Sequence, residues 1–322
     1  MNKLVAIVGP TASGKTSLSL ELAEYLGTEI VSGDSMQIYR GMDIGTAKPN
    51  SAEMRGIVHN MIDIADVSEK FTVYDFIKRA KDHISRIHAG GKIPVIAGGT
   101  GLYIDGLLTN TQFDEYESSS ELRAELEDRA DREGLEILYA QLAQSDAAYA
   151  QKISPNDRRR IIRALEVYAL TGKPQSEHIA ASRLMPSDYD VLIIGLAYSD
   201  REVLYSRINA RVDEMMRQGL EGEVRACWEA GLEEAPTASQ AIGYKEFYPY
   251  FRGEMSLEEA VDRIKISSRR YAKRQMTWFR RNPAINWIEI DREWGESGDD
   301  FGNIVQISKK LLTSRGFCDI IK

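Results

Sequence analysis

The octapeptide GPTASGKT, Gly9 to Thr16, constrains this chain more than any other stretch. It lies between the apolar run Leu4 to Val8 and a segment that places Leu18, Leu22, Ala23 and Leu26 on one helical face. The order is strand, phosphate loop, helix. Gly9, four residues, then Gly14-Lys15-Thr16 matches the Walker A pattern, whose backbone N–H groups wrap phosphate oxygens at a helix N-terminus. In that pattern the Lys15 side chain neutralises the terminal phosphate and the Thr16 hydroxyl holds Mg²⁺. The expected fold is α/β, a P-loop NTPase-like parallel sheet flanked by helices, and the expected ligand is a di- or triphosphate.

The next stretches locate the neighbours of the loop. Glu29 to Ser32 reads as a second strand running into Gly33-Asp34-Ser35-Met36-Gln37-Ile38-Tyr39. Residues just past a strand's C-terminal end face the ligand crevice of an open parallel sheet, which puts Asp34 near the loop. Gly41 to Pro49 is a glycine-rich loop, and His59 to Ile64 a short strand. Thr72 and Asp75 form a capping box for a helix whose buried stripe is Phe76, Ile77, Ala80, Ile84 and Ile87, stopped by Gly90-Gly91. Ile93 to Ala97 is a buried strand delivered into Gly98-Gly99-Thr100-Gly101-Leu102-Tyr103. No acid stands at its tip, where a nucleotide hydrolase usually carries a carboxylate for metal and water. That absence argues against a hydrolase or a switch.

Past Leu108 the chain turns polar and acidic, in short helices that read as an inserted all-helical lobe over 113–188, with 1–112 and 189–322 forming the core. Ser118 is the expected cap of a helix with Leu122, Leu126 and Ala130 on one face, closed by Gly134. Asn156 is the expected cap of another, with Ile161, Leu165 and Tyr168 facing its core. Arg158, Arg159, Arg160 and Arg163 on that helix form either a solvated face or a phosphate-facing surface. Net charge of −8 excludes indiscriminate coating of nucleic acid and leaves room for such a local patch. Val191 to Ala197 returns to the sheet, and a helix from Asp200 to Gln218 carries Arg207 and Arg211, one of which could reach the phosphates.

Ser256 and Glu259 open a long helix bearing Arg263, Lys265, Arg269, Arg270, Lys273 and Arg274, followed by Arg280 and Arg281. Its basic side shows no acidic partners at i±4 and is a candidate nucleic-acid groove, while Tyr271, Trp278 and Phe279 read as core. Asn286 to Ile290 is a last strand, and Phe301 to Leu312 a terminal helix. Cys227 and Cys318 lack a zinc or disulfide pattern and read as inert thiols. No run reaches the length of a signal h-region or membrane span, so the cytoplasm is expected.

Taken together, GPTASGKT at Gly9, DSMQIY at Asp34, GMDIGTAKP at Gly41, GGTGLY at Gly98, NDRRRIIRALEVY at Asn156, GYKE at Gly243 and RRYAKRQMTWFR at Arg269 closely resemble the bacterial tRNA dimethylallyltransferase family, also called tRNA isopentenyltransferases. The resemblance runs end to end and omits the zinc-finger extension of eukaryotic relatives. It implies transfer of a dimethylallyl group from its diphosphate to the N6 amine of the adenosine just 3′ of the anticodon, with Mg²⁺ as cofactor. The inserted lobe and the basic helix are then expected to grip opposite sides of the anticodon stem, and the expected state is a monomer. Asp34, the one acid at a strand tip beside the loop, is the expected acceptor of the amine's proton, and Thr100 is expected to be catalytic with it. By the resemblance Thr11, Ala12, Ser13, Gly14, Lys15, Thr16 and Arg211, with Gly9 of the loop, hold the diphosphate. The tRNA contacts implied are Asp34, Ser35, Met36, Gln37, Thr100, Arg123, Arg159, Arg160 and Arg163. Asp34 has a second reading, as a magnesium ligand displaced from the usual strand. Two other classes share the loop: a small-molecule kinase, which would release ADP, and a non-catalytic nucleotide switch, which would retain its nucleotide unchanged.

Overall fold

The structure, a computed structural model, describes residues 2–109, 119–183, 187–290 and 300–318. Six strands, β1 (Asn2–Val8), β2 (Ile30–Ser32), β3 (His59–Asn60), β4 (Val95–Gly98), β5 (Tyr189–Tyr198) and β6 (Ile285–Ile290), form one sheet in the order β3-β2-β4-β1-β5-β6. Every pairing is parallel, with β1 in the middle, aligned Val5 to Val95 on one side and Val5 to Leu192 on the other. A parallel strand covered on both faces needs apolar residues at every position, and Leu4-Val5-Ala6-Ile7-Val8 supplies them, all fully buried. Leu4, Ala6 and Val8 face a core that includes Phe76, Ala80 and Ile84, whereas Val5 and Ile7 face Leu18, Leu22 and Ile194 on the other side.

Helices α1 (Lys15–Leu26), α2 (Val73–Ala89) and α3 (Gly101–Leu108) follow β1, β3 and β4. Gly27 ends α1 in the left-handed conformation, φ 58°, which a glycine adopts without a Cβ penalty. The Thr72/Asp75 capping box of α2 forms in both directions, and its stripe is buried except at Ile77, which is half-exposed. After β5 come α9 (Arg201–Arg217), α10 (Leu220–Glu229), α11 (Tyr248–Phe251) and the 23-residue α12 (Leu257–Phe279), with α13 (Asp300–Ser314) after β6. The intervening numbers belong to α4 (Ser120–Glu133), α5 (Leu135–Ser145), α6 (Ala147–Ala150), α7 (Arg158–Thr171) and α8 (Gln175–Arg183). Ser256 and Glu259 cap α12 reciprocally, as the sequence pattern requires.

The chain separates into two compact units, one of Met1–Leu108 with Asp188–Lys322 and the other Thr109–Ser187. The second is all helical, α4 to α8, around Leu126, Leu138, Leu142, Ile161 and Leu165. Three local expectations change here. Ser118 lies outside the described residues, and the cap seen on α4 is Ser119, whose hydroxyl accepts from the Leu122 N–H. The cap of α7 is Asp157 rather than Asn156: the Asn156 N–H is engaged by the Ser154 hydroxyl in the preceding turn, so the helix starts one residue later. The Asp157 carboxylate then accepts from the Arg160 N–H, where the helix dipole also favours a negative charge. Tyr168 is 40% exposed instead of buried, because the inward wedge of α7 is filled by Ile162, Ala164 and Val167 beside Ile161 and Leu165. Among the described residues no helix is long and apolar enough to cross a membrane.

Candidate active site

The loop after β1 is held open by its own backbone. Gly9 has φ 149°, and a Cβ there would lie 2.5 Å from the Leu196 carbonyl oxygen of β5, so only glycine fits. Ala12 sits in the left-handed region at φ 62°, a strain that loops of this kind store at ligand sites. Gly14 starts α1 without any side-chain cap, leaving the first-turn N–H groups of the helix for an outside acceptor. The Ser13 hydroxyl is buried and has no partner among the described residues. A buried polar group without a partner is costly unless a ligand completes it.

The charges converge on the same place. Lys15 donates from Nζ to the Pro10 carbonyl at 2.6 Å. Burial, then repulsion from Arg211, pulls its pKa down to about 7, against an opposing attraction from Asp34. Arg211 is likewise pushed down, by burial first, with Asp34 raising it and Arg207 lowering it. Arg207 and Arg211 of α9 therefore both serve the loop, since Arg207 also donates from Nε to the Ala12 carbonyl at 3.4 Å. Two crowded cations share one carboxylate, a surplus of positive charge that an anion relieves.

Asp34 reaches this centre because β2 and β4 are neighbours whose tips touch. The Gly33 N–H donates to the Ala97 carbonyl at 2.8 Å, and a Cβ on Gly98 would lie 2.3 Å from the Gly33 oxygen. Asp34 Oδ1 accepts from the Met36 N–H at 2.8 Å and, more weakly, from the Gln37 N–H at 3.4 Å. That fixes the carboxylate through one oxygen and leaves Oδ2 for a proton. Thr100, at the tip of β4, accepts from the Ser35 N–H at 3.1 Å and donates to the Ser35 hydroxyl at 3.3 Å. A cleft of about 180 Å³ opens here, with Thr11, Asp34, Arg211 and Tyr271 among its polar lining and Ile208, Val212, Met215 and Ile264 among its apolar lining.

Three contributors were missed in the sequence. Gln275 of α12 is buried and accepts from the Thr11 N–H at 2.9 Å while donating to the Gly99 carbonyl at 3.0 Å, tying the phosphate loop to the β4 tip. Tyr271, one turn earlier, lies against Thr100 and Gln275, and burial with Asp34 nearby raises its hydroxyl pKa to about 12. Glu223 of α10 accepts from the N–H groups of Asp43, Ile44 and Gly45 at 2.7 to 3.0 Å and from the Tyr244 hydroxyl at 2.6 Å, which pins the Gly41–Pro49 loop.

The basic surfaces are less free than their sequence implies. In the helical unit Arg158 is bound to Glu127 and Asp131, and Arg160 pairs with Asp157. Arg123 and Arg163 both bond Glu166, whereas Arg159 is exposed and makes no ion pair among the described residues. On α12 the expected lack of acidic partners does not hold: Glu259 stands one turn before Arg263 and feels its charge, and Lys265 pairs with Asp213 of α9 at 2.6 Å. Arg270, Lys273 and Arg274 remain exposed.

For a metal, no group of three or more His, Cys, Asp or Glu side chains gathers anywhere among the described residues. Magnesium asks for no such cluster, because it keeps several waters and takes one or two protein oxygens together with substrate phosphates. The exposed Thr16 hydroxyl on the first turn of α1 is the fitting protein oxygen, with Asp34 as the nearby acid.

A glycine-rich loop on a helix N-terminus, after the central strand of a parallel sheet and beside a single acid from the next strand but one, defines a P-loop α/β protein built to hold a phosphorylated ligand. The family model for IPP transferase matches residues 37–282, and the chain belongs to that family. It is 46% identical over 312 residues to the tRNA dimethylallyltransferase of Thermoanaerobacter sp., covering 96% of both chains. It is 49% identical over 290 residues to that of Caldanaerobacter subterraneus, covering 90% of this chain and 92% of the relative. Among solved structures, the full-length tRNA isopentenylpyrophosphate transferase of Bacillus halodurans aligns over 98% of this chain and 99% of its own, at 42% identity and TM-score 0.71. A eukaryotic dimethylallyltransferase crystallised acting on tRNA aligns over 98% of this chain and 80% of its own, at 31% identity and TM-score 0.82.

Proposed function

We propose that the protein transfers a dimethylallyl group from dimethylallyl diphosphate to the exocyclic N6 amine of the adenosine 3′-adjacent to the anticodon, releasing diphosphate. The observation that carries this is the crowding of Lys15 and Arg211 against one carboxylate, Asp34, beside a cleft with an apolar wall. A diphosphate leaving group needs cations where its charge develops, and its prenyl tail needs an apolar lining. The phosphate loop from Gly9 to Thr16, with Arg211, binds the diphosphate. Thr16 would hold a Mg²⁺ ion, which when bound would supply further charge neutralisation at the diphosphate.

The N6 lone pair is delocalised into the purine ring, so attack requires removal of its proton. Asp34 accepts that proton as the N6–carbon bond forms and the carbon–oxygen bond to diphosphate breaks. Thr100 holds the Asp34 turn through Ser35. No water has to be positioned for attack, which accounts for a β4 tip without an acid. The adenine must leave its stack, at a cost that is least in a single-stranded loop, and the anticodon loop is one. Ser35, Met36, Gln37, Arg123, Arg159, Arg160 and Arg163 contact the tRNA. The protein acts as a monomer in the cytoplasm, where tRNA is found. Digestion of treated tRNA should yield prenylated adenosine from that one position; prenylation spread over many adenosines, or none, would refute the assignment.

Two further results are expected. With a pKa near 7, the Lys15 amine is mostly neutral above that pH and charged below it. Diphosphate binding at pH 8 should therefore take up close to one proton, read by calorimetry in buffers of different ionisation enthalpy, and Lys15→Arg should abolish the uptake. Neutralising Arg159 and Arg163 together should flatten the log–log salt dependence of tRNA binding by about one to two units. An unchanged slope would make these arginines a solvated face.

A further inference from the structure

Two arginines of the helical unit share one acid. Arg123 of α4 and Arg163 of α7 donate from Nη2 and Nη1 to the same oxygen, Oε2 of Glu166, at 2.7 and 3.0 Å. Glu166 is fully buried, and its Oε1 has no partner among the described residues. The two arginine side chains are 40% and 41% exposed. A buried carboxylate with one oxygen unsatisfied is costly, and an apolar residue of similar size would pack α4 on α7 at least as well. Packing gives no reason for an acid at this position.

The arrangement makes sense as a device for the arginines. Two guanidiniums bonded to a single oxygen are held within the span of one phosphate group, a separation at which they would repel each other without the charge between them. Each keeps further N–H groups on its exposed side. The trio carries net charge +1, which matches the monoanion of a phosphodiester. Reading a guanine edge would need one arginine with its whole fork free, and here both forks are partly engaged.

We propose that Glu166 is a positioning residue that holds Arg123 and Arg163 side by side as a preformed clamp for one backbone phosphodiester of the RNA. This rests on the RNA-modifying function above. The clamp fixes where the RNA lies and takes no part in the chemistry at Asp34.

The test uses the full-length chain and unmodified tRNA, with wild-type prenylation recorded first, so that failure of the activity itself is seen separately. Glu166→Gln should raise the KM for tRNA about tenfold with kcat within about twofold, since a lost charge-assisted contact acts on binding alone. Methylphosphonate groups placed one at a time through the anticodon stem-loop then remove single phosphate charges, and affinity is measured without turnover. One position should cost the wild type about tenfold and cost Glu166→Gln nothing more, the signature of a coupled pair. Should Glu166→Gln lose its helical structure, Arg163→Lys keeps the charge and leaves Glu166 paired with Arg123, and the same position should lose its effect. Equal sensitivity of variant and wild type at every position, or a fall in kcat at unchanged KM, would overturn the clamp.

Discussion

Asp34→Ala is expected to lower single-turnover transfer by about 10² to 10⁴, or roughly 3 to 5 kcal/mol, the usual worth of a positioned general base. The size of the effect follows from the geometry. Asp34 is fixed through Oδ1 by the Met36 and Gln37 N–H groups, so its free oxygen is oriented before substrate arrives. No other carboxylate lines the cleft among the described residues. The affinity for tRNA should change little, because one hydrogen bond to the N6 amine adds little to the phosphate contacts that hold a polyanion. Restoration of the rate by excess Mg²⁺ would assign Asp34 to the metal instead.

Lys15→Ala should slow transfer by about 10² to 10³, or roughly 3 to 4 kcal/mol, by removing one fixed cation from the developing diphosphate. The fold should survive. Lys15 points into the loop, its hydrogen bond is to the Pro10 carbonyl, and it belongs to neither core of the sheet. A thermal midpoint near the wild type together with a wild-type rate would remove the phosphate loop from the mechanism.

The parts of this site that were legible in the sequence are those set by neighbours along the chain. The loop, the Thr72/Asp75 and Ser256/Glu259 caps and the Gly27 stop each depend on residues within one or two turns, and each forms as read. Asp34 was legible for a topological reason: residues after parallel strands meet at one end of the sheet whichever strand they follow. What was missed depends on contacts across long separations. Gln275 serves Thr11 from 264 residues away, and Lys265 finds Asp213 on a different helix. A signal for Gln275 did exist, since a glutamine between Ala272 and Phe279 at spacings of three and four falls on the buried face of α12, where a polar group needs a partner. The arginines of α7 were legible only as a run of like charge: Arg158 is paired with Glu127 and Asp131 of α4, acids that only folding brings near, whereas the partner of Arg163, Glu166, stands three residues along its own helix.

The most direct test of dimethylallyl transfer offers the purified protein Mg²⁺ and unmodified tRNA with either dimethylallyl diphosphate or ATP, and follows both the mass of the tRNA and the fate of the phosphates. The first mixture should add one five-carbon unit to one adenosine and release an equal amount of diphosphate. The second should be inert, because the loop grips phosphates whichever molecule carries them, while no acid stands at Thr100 to organise phosphoryl transfer or attack by water. ADP appearing in the second mixture, with no gain of mass on tRNA in the first, would contradict the assignment and make the protein a phosphotransferase.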